Sequence, residues 1–236
     1  MASLASILAG HNINKKRQVG GFQPCHVKAL SLLGTLSEHN GCVNKLTWNE
    51  DGSLFASASD DLQICLWDFE SARLKCAFIT KHTHNIFGLK FLSSNDNRIL
   101  ITGAMDCSVE YHQLHPDLSG LLKTDELFCH RAKVKAIETD ANSPYLFFSA
   151  SEDGCIRQYD NRLPNYGCYD NDSTMSISSV SSKVGSQFNS SNCLLASAPM
   201  VKLYSMRINP VDSNLFVVSS RYESYALINY TSIYHL

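Results

Sequence analysis

Three times along the chain a histidine, a hydroxyl residue and an aspartate recur in the same order: His39, Ser57 and Asp61, then His82, Thr102 and Asp106, then His130, Ser149 and Asp153. These are the residue types of a general base, a nucleophile and an orienting acid, so hydrolytic or acyl-transfer chemistry is the first reading to weigh. A catalytic set, however, has to occur once and converge on one pocket. Here the set returns with its spacing, since Asp61, Asp106 and Asp153 stand 45 and 47 residues apart. Six residues after each comes a flat side chain, Trp67, His112 or Tyr159. A group that every repeat carries serves something every repeat needs. The expected role is a buried network in which the aspartate accepts hydrogen bonds from the loop histidine and turn amides, closed by the hydroxyl and the ring. On this reading the chain is not an enzyme and needs no cofactor.

Metal chemistry fares no better. His82 with His84, and His112 with His115, form pairs, but neither spacing supplies the third ligand that a zinc site needs. The nine cysteines are scattered, odd in number and lack a Cys-x-x-Cys, so they indicate neither a zinc site nor a disulfide framework. Cys65, Cys107 and Cys155 fall in or beside the third strand of successive repeats and read as small half-buried hydrophobes in a reducing compartment. A net charge of -2, with Lys15, Lys16 and Arg17 as the one basic run, gives no footprint for direct nucleic-acid binding or for an anionic membrane. The apolar start has its basic residues after rather than before the apolar run, the wrong order for a signal peptide, and no stretch approaches the ~20 apolar residues of a span.

The elements that must position the recurrent residues follow from the stretch His39 to Asp68. Apolar Val43, Leu46 and Trp48 lead to a turn at residues 49–53. A second run covers residues 54–59, Asp60 and Asp61 turn again, and a third run carries Ile64 and Leu66 to the Trp67-Asp68 pair. Period-two alternation broken by Asp, Gly and Ser turns predicts antiparallel strands. The pattern recurs from His82 and from His130, and in eroded form from residue 203, where Leu203, Met206 and Ile208 stand for Val43, Leu46 and Trp48. Residues 74–79, 120–128 and 193–197 are expected as outer strands. A period of roughly 40 to 45 residues, with a histidine near its start and an aromatic-Asp pair near its end, is the sign of a WD-type β-propeller. The expected fold is therefore all-β, a partial propeller of about four blades. As WD blades most often close at seven, the chain reads as the N-terminal part of such a ring. Residues 1–26 read as a flexible leader, 27–162 as blades one to three, 163–192 as a Ser-rich surface loop, and 193–236 as the outer strand of blade three plus the eroded blade four. The apolar run 27–36 is expected as a strand completing a blade whose other strands come from the C-terminal part.

The third repeat, LFFSASEDGCIRQYDNR, ends in Tyr159, Asp160, Asn161 and Arg162, and so in aromatic-Asp-x-Arg. This resembles the WDxR box of WD-repeat substrate receptors that dock on the damaged-DNA-binding adaptor of cullin-RING ubiquitin ligases. Together with HNGCVNKLTWNEDGSLFASASDD and HNIFGLKFLSSNDNRILITGAMD, the repeat resembles the WD and tetratricopeptide repeats proteins of the adipose type, well over residues 36–162 and loosely over 193–230. The resemblance implies a non-enzymatic receptor, cytoplasmic or nuclear, with Arg162 and Asp160 on the adaptor-facing rim and protein substrates it does not name. The first repeat ends in Trp67-Asp68-Phe69-Glu70 and lacks the arginine. A general WD-repeat assembly scaffold without a ligase link stays open as the alternative, because a fold hosts many functions.

Overall fold

Short alternating runs joined by tight turns can hydrogen-bond only to one another, and the computed structural model arranges them as antiparallel sheets. It describes residues 32, 34–92, 97–140, 142–162, 193–196, 202–220 and 226–229, and among these there are strands but no helix. Blade one comprises β1 (Val43–Trp48), β2 (Leu54–Ser59), β3 (Gln63–Asp68) and β4 (Arg73–Ile79). Blade two comprises β5 (Ile86–Phe91), β6 (Ile99–Ala104), β7 (Val109–Leu114) and β8 (Leu121–Leu127). Blade three comprises β9 (Val134–Thr139), β10 (Leu146–Ser151), β11 (Cys155–Asp160) and β12 (Cys193–Ala196), and blade four β13 (Leu203–Ile208), β14 (Leu215–Ser220) and β15 (Ala226–Asn229). In each sheet the strands pair in chain order. The blades are those of a partial β-propeller.

The same irregularities recur from blade to blade. Each innermost pair carries a β-bulge after the first residue of the inner strand, at Val43/Lys45, Ile86/Gly88 and Leu203/Ser205, with the matching shift at Ala150/Ser151 in blade three. In the turns between second and third strands, the residue after the network aspartate adopts positive φ: Leu62 at 66°, Cys107 at 70° and Gly154 at 82°. Only glycine takes that conformation without a steric cost.

Successive blades pack face to face through three apolar clusters. Leu54, Ala56 and Leu66 of blade one receive Ile86, Leu89 and Phe91 of blade two. Val109 and Leu127 receive Val134 and Ile137, and Ala136 and Phe148 receive Leu203 and Met206. Small residues on one side of each joint admit large ones from the other, and glycine brings β5 and β6 close to blade three: a Cβ at Gly103 would lie 2.5 Å from Val134 Cγ1. The equivalent inner-strand residues of blade one meet no preceding blade among the described residues. Val43 is 47%, Leu46 62% and Trp48 54% exposed, whereas Leu89 in the Leu46 slot is fully buried. Burial of such a side chain is worth roughly 1.5–3 kcal/mol, which β1 does not collect.

The expected outer strands at 74–79, 120–128 and 193–197 correspond to β4, β8 and β12. Most of the strand expected at 27–36 lies outside the described residues; of its described part, residues 34–36 are not in a strand, and Leu32 and Leu36 are exposed. The residues expected to form the leader, 1–26, and the Ser-rich loop, 163–192, lie outside the described residues. Cys42, Cys65, Cys76, Cys107 and Cys155 are free thiols, but Cys129 is disulfide-bonded, which a reading based on paired spacing did not anticipate.

Candidate functional site

The structure brings the recurrent residues together in each of the first three blades. In blade one His39 Nδ1 lies 3.0 Å from Asp61 Oδ2, its Nε2 lies 2.7 Å from Ser57 Oγ, and Trp67 Nε1 donates to Ser57 Oγ at 2.9 Å. In blade two His82 bridges Asp106 at 3.1 Å and Thr102 at 2.8 Å, and the His112 ring continues the chain at 2.8 Å to Thr102 Oγ1 and 3.0 Å to Thr124 Oγ1. In blade three His130 bridges Asp153 at 2.9 Å and Ser149 at 2.6 Å, with Tyr159 Oη 3.2 Å from Ser149 Oγ. A carboxylate only accepts, so each loop histidine donates through Nδ1 and accepts the hydroxyl proton at Nε2. The hydroxyl oxygen in turn accepts from Trp67, from His112 Nε2 or from Tyr159.

This is the bond order of a Ser-His-Asp triad, yet it lacks what a nucleophile requires. Ser57, Thr102 and Ser149 are buried, and each hydroxyl oxygen is capped by an aromatic-slot donor, so no electrophile can reach it. What the network does is fix the strand-entry loop to the turn. Asp61 also accepts the amides of Asn40 and Gln63, Asp106 those of Thr83 and Ser108, and Asp153 those of Arg131 and Cys155.

The electrostatics agree with that role. Partial burial pushes the Asp153 carboxyl up, but the His130 ring and the two turn amides outweigh it and bring the pKa down to about 2. Asp61 and Asp106 are likewise held below the usual carboxylate range against the opposing effect of burial. Burial drives the histidines the other way: His130 is lowered despite Asp153, and His112 is pushed down to about 3. Both ring nitrogens of His112 are spent on hydroxyls, so it is not available as a metal ligand. Among the described residues no group of three or more His, Cys, Asp or Glu could hold a metal ion, and no helix is long and apolar enough to cross a membrane.

One network residue escaped the sequence reading. Glu110 pairs across the sheet from Thr102, where blade one has Cys65 and blade three Arg157. Burial raises its pKa, and its Oε1 makes no hydrogen bond although His82 Nδ1 is 3.4 Å away, because that proton is held by Asp106 and Ser108. The available signal was a charge in a strand position whose counterpart in the first repeat is a cysteine.

The second candidate lies on the rim of blade three. Asp160 ends β11, and Arg162 folds back onto it: Nε is 2.9 Å from Oδ1 and Nη2 is 2.6 Å from Oδ2, while Asp160 Oδ1 also accepts the Arg162 amide at 3.0 Å. The guanidinium carbon sits 5.0 Å from the centre of the Tyr145 ring, within cation-π range. Arg162 is thus held in one orientation from two sides while its side chain stays 58% exposed. In the same slot of blade one, Asp68 instead accepts Ser71 N and Oγ, so that blade presents no cation there.

Antiparallel blades in chain order, three of them locked by the same buried histidine-aspartate chain, define a β-propeller repeat protein. Residues 30–68 and 121–160 match the WD domain, G-beta repeat family, so the chain carries WD repeats over those residues. It is similar to WD and tetratricopeptide repeats protein 1 of Homo sapiens, with 44% identity over 137 residues covering 58% of this chain and 20% of the relative. It is 36% identical to Protein ALTERED SEED GERMINATION 2 of Arabidopsis thaliana over 159 residues, 64% of this chain and 20% of the relative. It is 31% identical to DDB1- and CUL4-associated factor 6 of Homo sapiens over 137 residues, 58% of this chain and 16% of the relative. The chain spans a fifth or less of the length of these curated relatives. WD-repeat proteins generally act as interaction modules rather than enzymes.

Proposed function

We propose that the protein is a substrate-receptor module of a cullin-RING ubiquitin ligase, docking on the damaged-DNA-binding adaptor through the blade-three rim and leaving other surfaces for protein substrates. The observation that carries the reading is Arg162, exposed yet oriented by Asp160 and Tyr145 at the end of an aromatic-Asp-x-Arg sequence. A relative named as a DDB1- and CUL4-associated factor supports it. Arginine suits the task because its planar fork engages carboxylates or carbonyls in a fixed geometry, and because a side chain ordered before binding loses less entropy on docking. Asp160 acts through Arg162: with its carboxylate already engaged, it positions the cation rather than meeting the partner.

The test is co-precipitation of the adaptor with the tagged chain and with Arg162→Ala and Arg162→Lys. Recovery with the wild type and loss with both variants supports the reading, since lysine keeps the charge but not the fork. Failure to recover adaptor with the wild type moves the assignment to a general assembly scaffold, for which the exposed Leu46, Trp48 and Phe69 of blade one offer a contact face.

A further inference from the structure

The slot across the sheet from the network hydroxyl carries a different charge in each blade: Cys65 stands opposite Ser57, Glu110 opposite Thr102 and Arg157 opposite Ser149. Cys65 Sγ lies 4.0 Å from His39 Nδ1, and Glu110 Oε1 lies 3.4 Å from His82 Nδ1. In blade three burial lowers His130, and the Arg157 charge acts in the same direction. Blade two therefore sets two carboxylates, Asp106 at 3.1 Å and Glu110, on one ring nitrogen. Glu110 is 1% exposed, and its Oε1 has no hydrogen-bond partner. Such a carboxylate is costly to keep charged without a matching cation. Lys81 Nζ does not supply one, because Glu126 Oε1 holds it at 2.9 Å; what reaches Glu110 Oε2 is the Lys81 amide, at 3.2 Å.

The far side of the His82 ring can meet that demand. From Nε2 a chain of hydrogen bonds runs to Thr102 Oγ1 at 2.8 Å, on to His112 Nε2 at 2.8 Å, and from His112 Nδ1 to half-buried Thr124 Oγ1 at 3.0 Å. Every member can donate or accept, so the chain can turn round. Thr124 passes its proton to His112 Nδ1, His112 Nε2 passes one to Thr102, Thr102 passes one to His82 Nε2, and Thr124 takes a proton from solvent. His82 is then an imidazolium between Asp106 and Glu110, while His112 stays neutral in its other tautomer. A proton placed on Glu110 Oε1 instead would face an Nδ1 that already carries one. Blade one cannot turn round, since Trp67 Nε1 only donates and Ser57 would receive it and His39 together. From blade one, Phe78 packs on the His112 ring at 5.4 Å, and burial keeps the thiol of Cys76, in the same core, protonated. Burial does the same for Cys107, beside Asp106.

We propose that blade two holds a titrating proton which Glu110 draws onto His82 by reversing the His82–Thr102–His112–Thr124 chain, and that this proton is a pH-sensitive lock on the crossover from blade one to blade two. That crossover is tied down by the two carboxylates themselves: Glu110 accepts the Lys81 amide and Asp106 the Thr83 amide. With the proton bound, one imidazolium offsets both charges; once it leaves, two carboxylates repel across a neutral ring and the crossover loosens. The proton belongs to the pair, whose titration is coupled. Burial raises Glu110 from its ordinary value of 4.5, so the stabilisation is complete below about that pH and is lost as pH rises through the folded value. This sense is opposite to that of Asp106 and His112. The lock is separate from the blade-three rim, and adaptor docking neither requires it nor follows from it.

The experiment is an NMR pH titration of the assigned histidine Cε1–H groups in the full chain, at constant ionic strength. Of the three loop histidines, His82 should take its proton at the highest pH, with His39 and His130 as internal references. Glu110→Gln keeps the shape and removes the second charge, so it should weaken the proton affinity of His82 by at least about tenfold and leave the other two unchanged. His112→Trp gives blade two the donor-only ring of blade one and should suppress protonation of His82 by blocking the reversal. Exchange of the Lys81 and Thr83 amides, corrected for its intrinsic pH dependence, should slow in step with His82 protonation; a merely structural Glu110 would give no such coupling. Circular dichroism melts establish which variants are folded at the titration temperature, and the wild-type ordering of the three histidines decides the matter without any variant. His82 protonating no more readily than His39 and His130, or an unchanged His82 titration in folded Glu110→Gln, overturns the proposal.

Discussion

Asp106→Ala removes the acceptor on which the blade-two network ends. The carboxylate takes His82 Nδ1 at 3.1 Å, Thr83 N at 2.9 Å, Ser108 N at 3.0 Å and Ser108 Oγ at 2.7 Å. Thr83 is exposed and can turn to water, and His82 Nδ1 keeps Ser108 Oγ at 2.9 Å, but the amide and hydroxyl of buried Ser108 lose their acceptor inside the protein. A buried donor left without a partner costs about 1–3 kcal/mol, so two of them put the loss at about 2–6 kcal/mol. For a chain of this size that is a fall of about 4–24 °C in Tm, read by differential scanning calorimetry. Glu110 limits the damage, because its Oε1 already stands 3.4 Å from His82 Nδ1 and can accept the released proton in part. Asp106→Ala with Glu110→Gln should therefore lose more than the sum of the single changes, a coupling that a double-mutant cycle isolates. The pH dependence follows the same bonds. Asp106 has a folded-state pKa below its unfolded value, so its contribution is complete above about pH 4 and is lost as pH falls through the folded value. The variant should lack that part of the acid limb. A Tm within about 2 °C of wild type would refute the structural role, most decisively if a hydrolytic activity of the wild-type chain disappeared at the same time.

His112, pushed down to about 3 by burial, stays neutral in the folded protein while the unfolded ring takes a proton below about pH 6.5, so stability should decline as pH falls from 6.5 toward 3. His112→Tyr, using the side chain that fills this slot in blade three, should flatten that decline in urea midpoints measured between pH 7 and 5. Gly103→Ala should destabilise by about 1–3 kcal/mol, because the new methyl overlaps Val134 Cγ1 at the joint between blades two and three; a neutral urea midpoint would show that the joint yields. Cys107→Gly should stabilise by up to about 1 kcal/mol, since blade three already uses Gly154 at this positive-φ position, and an unchanged or lower midpoint would count against strain in that turn.

Spacing made the networks legible. Histidine, hydroxyl, aspartate and ring recur at offsets that the hairpin geometry fixes, so three copies in register carried both the strands and their hydrogen-bonding partners. Outer strands β4, β8 and β12 were readable because each lies between a repeat's end and the next repeat's start, even with a long insertion before β12. Coverage was not readable. Val43, Leu46 and Trp48 have the same apolar periodicity as Ile86, Leu89 and Phe91, and only the packing of blades reveals that the first set is exposed. Glu110 was missed because a carboxylate in an alternating strand looks solvent-facing until its cross-strand neighbours are known. The ion pairs of Glu138 with Lys90 at 3.0 Å and with Arg207 at 2.8 Å need three blades in place, with Glu138 and Arg207 69 residues apart. At the rim, the sequence picked out Asp160 and Arg162 but not their relation, in which the guanidinium is held by its own aspartate.

The central claim is that this oriented arginine is a docking residue, and calorimetric titration of the purified chain with purified adaptor tests it most directly. Loss of the Arg162 contact should weaken binding at least about tenfold, as expected for a charged hydrogen-bonding group at an interface. Because the Asp160 pair is solvent-exposed and contributes little to stability, Arg162→Ala should leave Tm nearly unchanged. Asp160→Asn should weaken binding less, by loosening the arginine without removing it. Wild-type binding with this ordering of variants is the result expected. Absence of wild-type binding, or Arg162→Ala binding as tightly as wild type, contradicts the account.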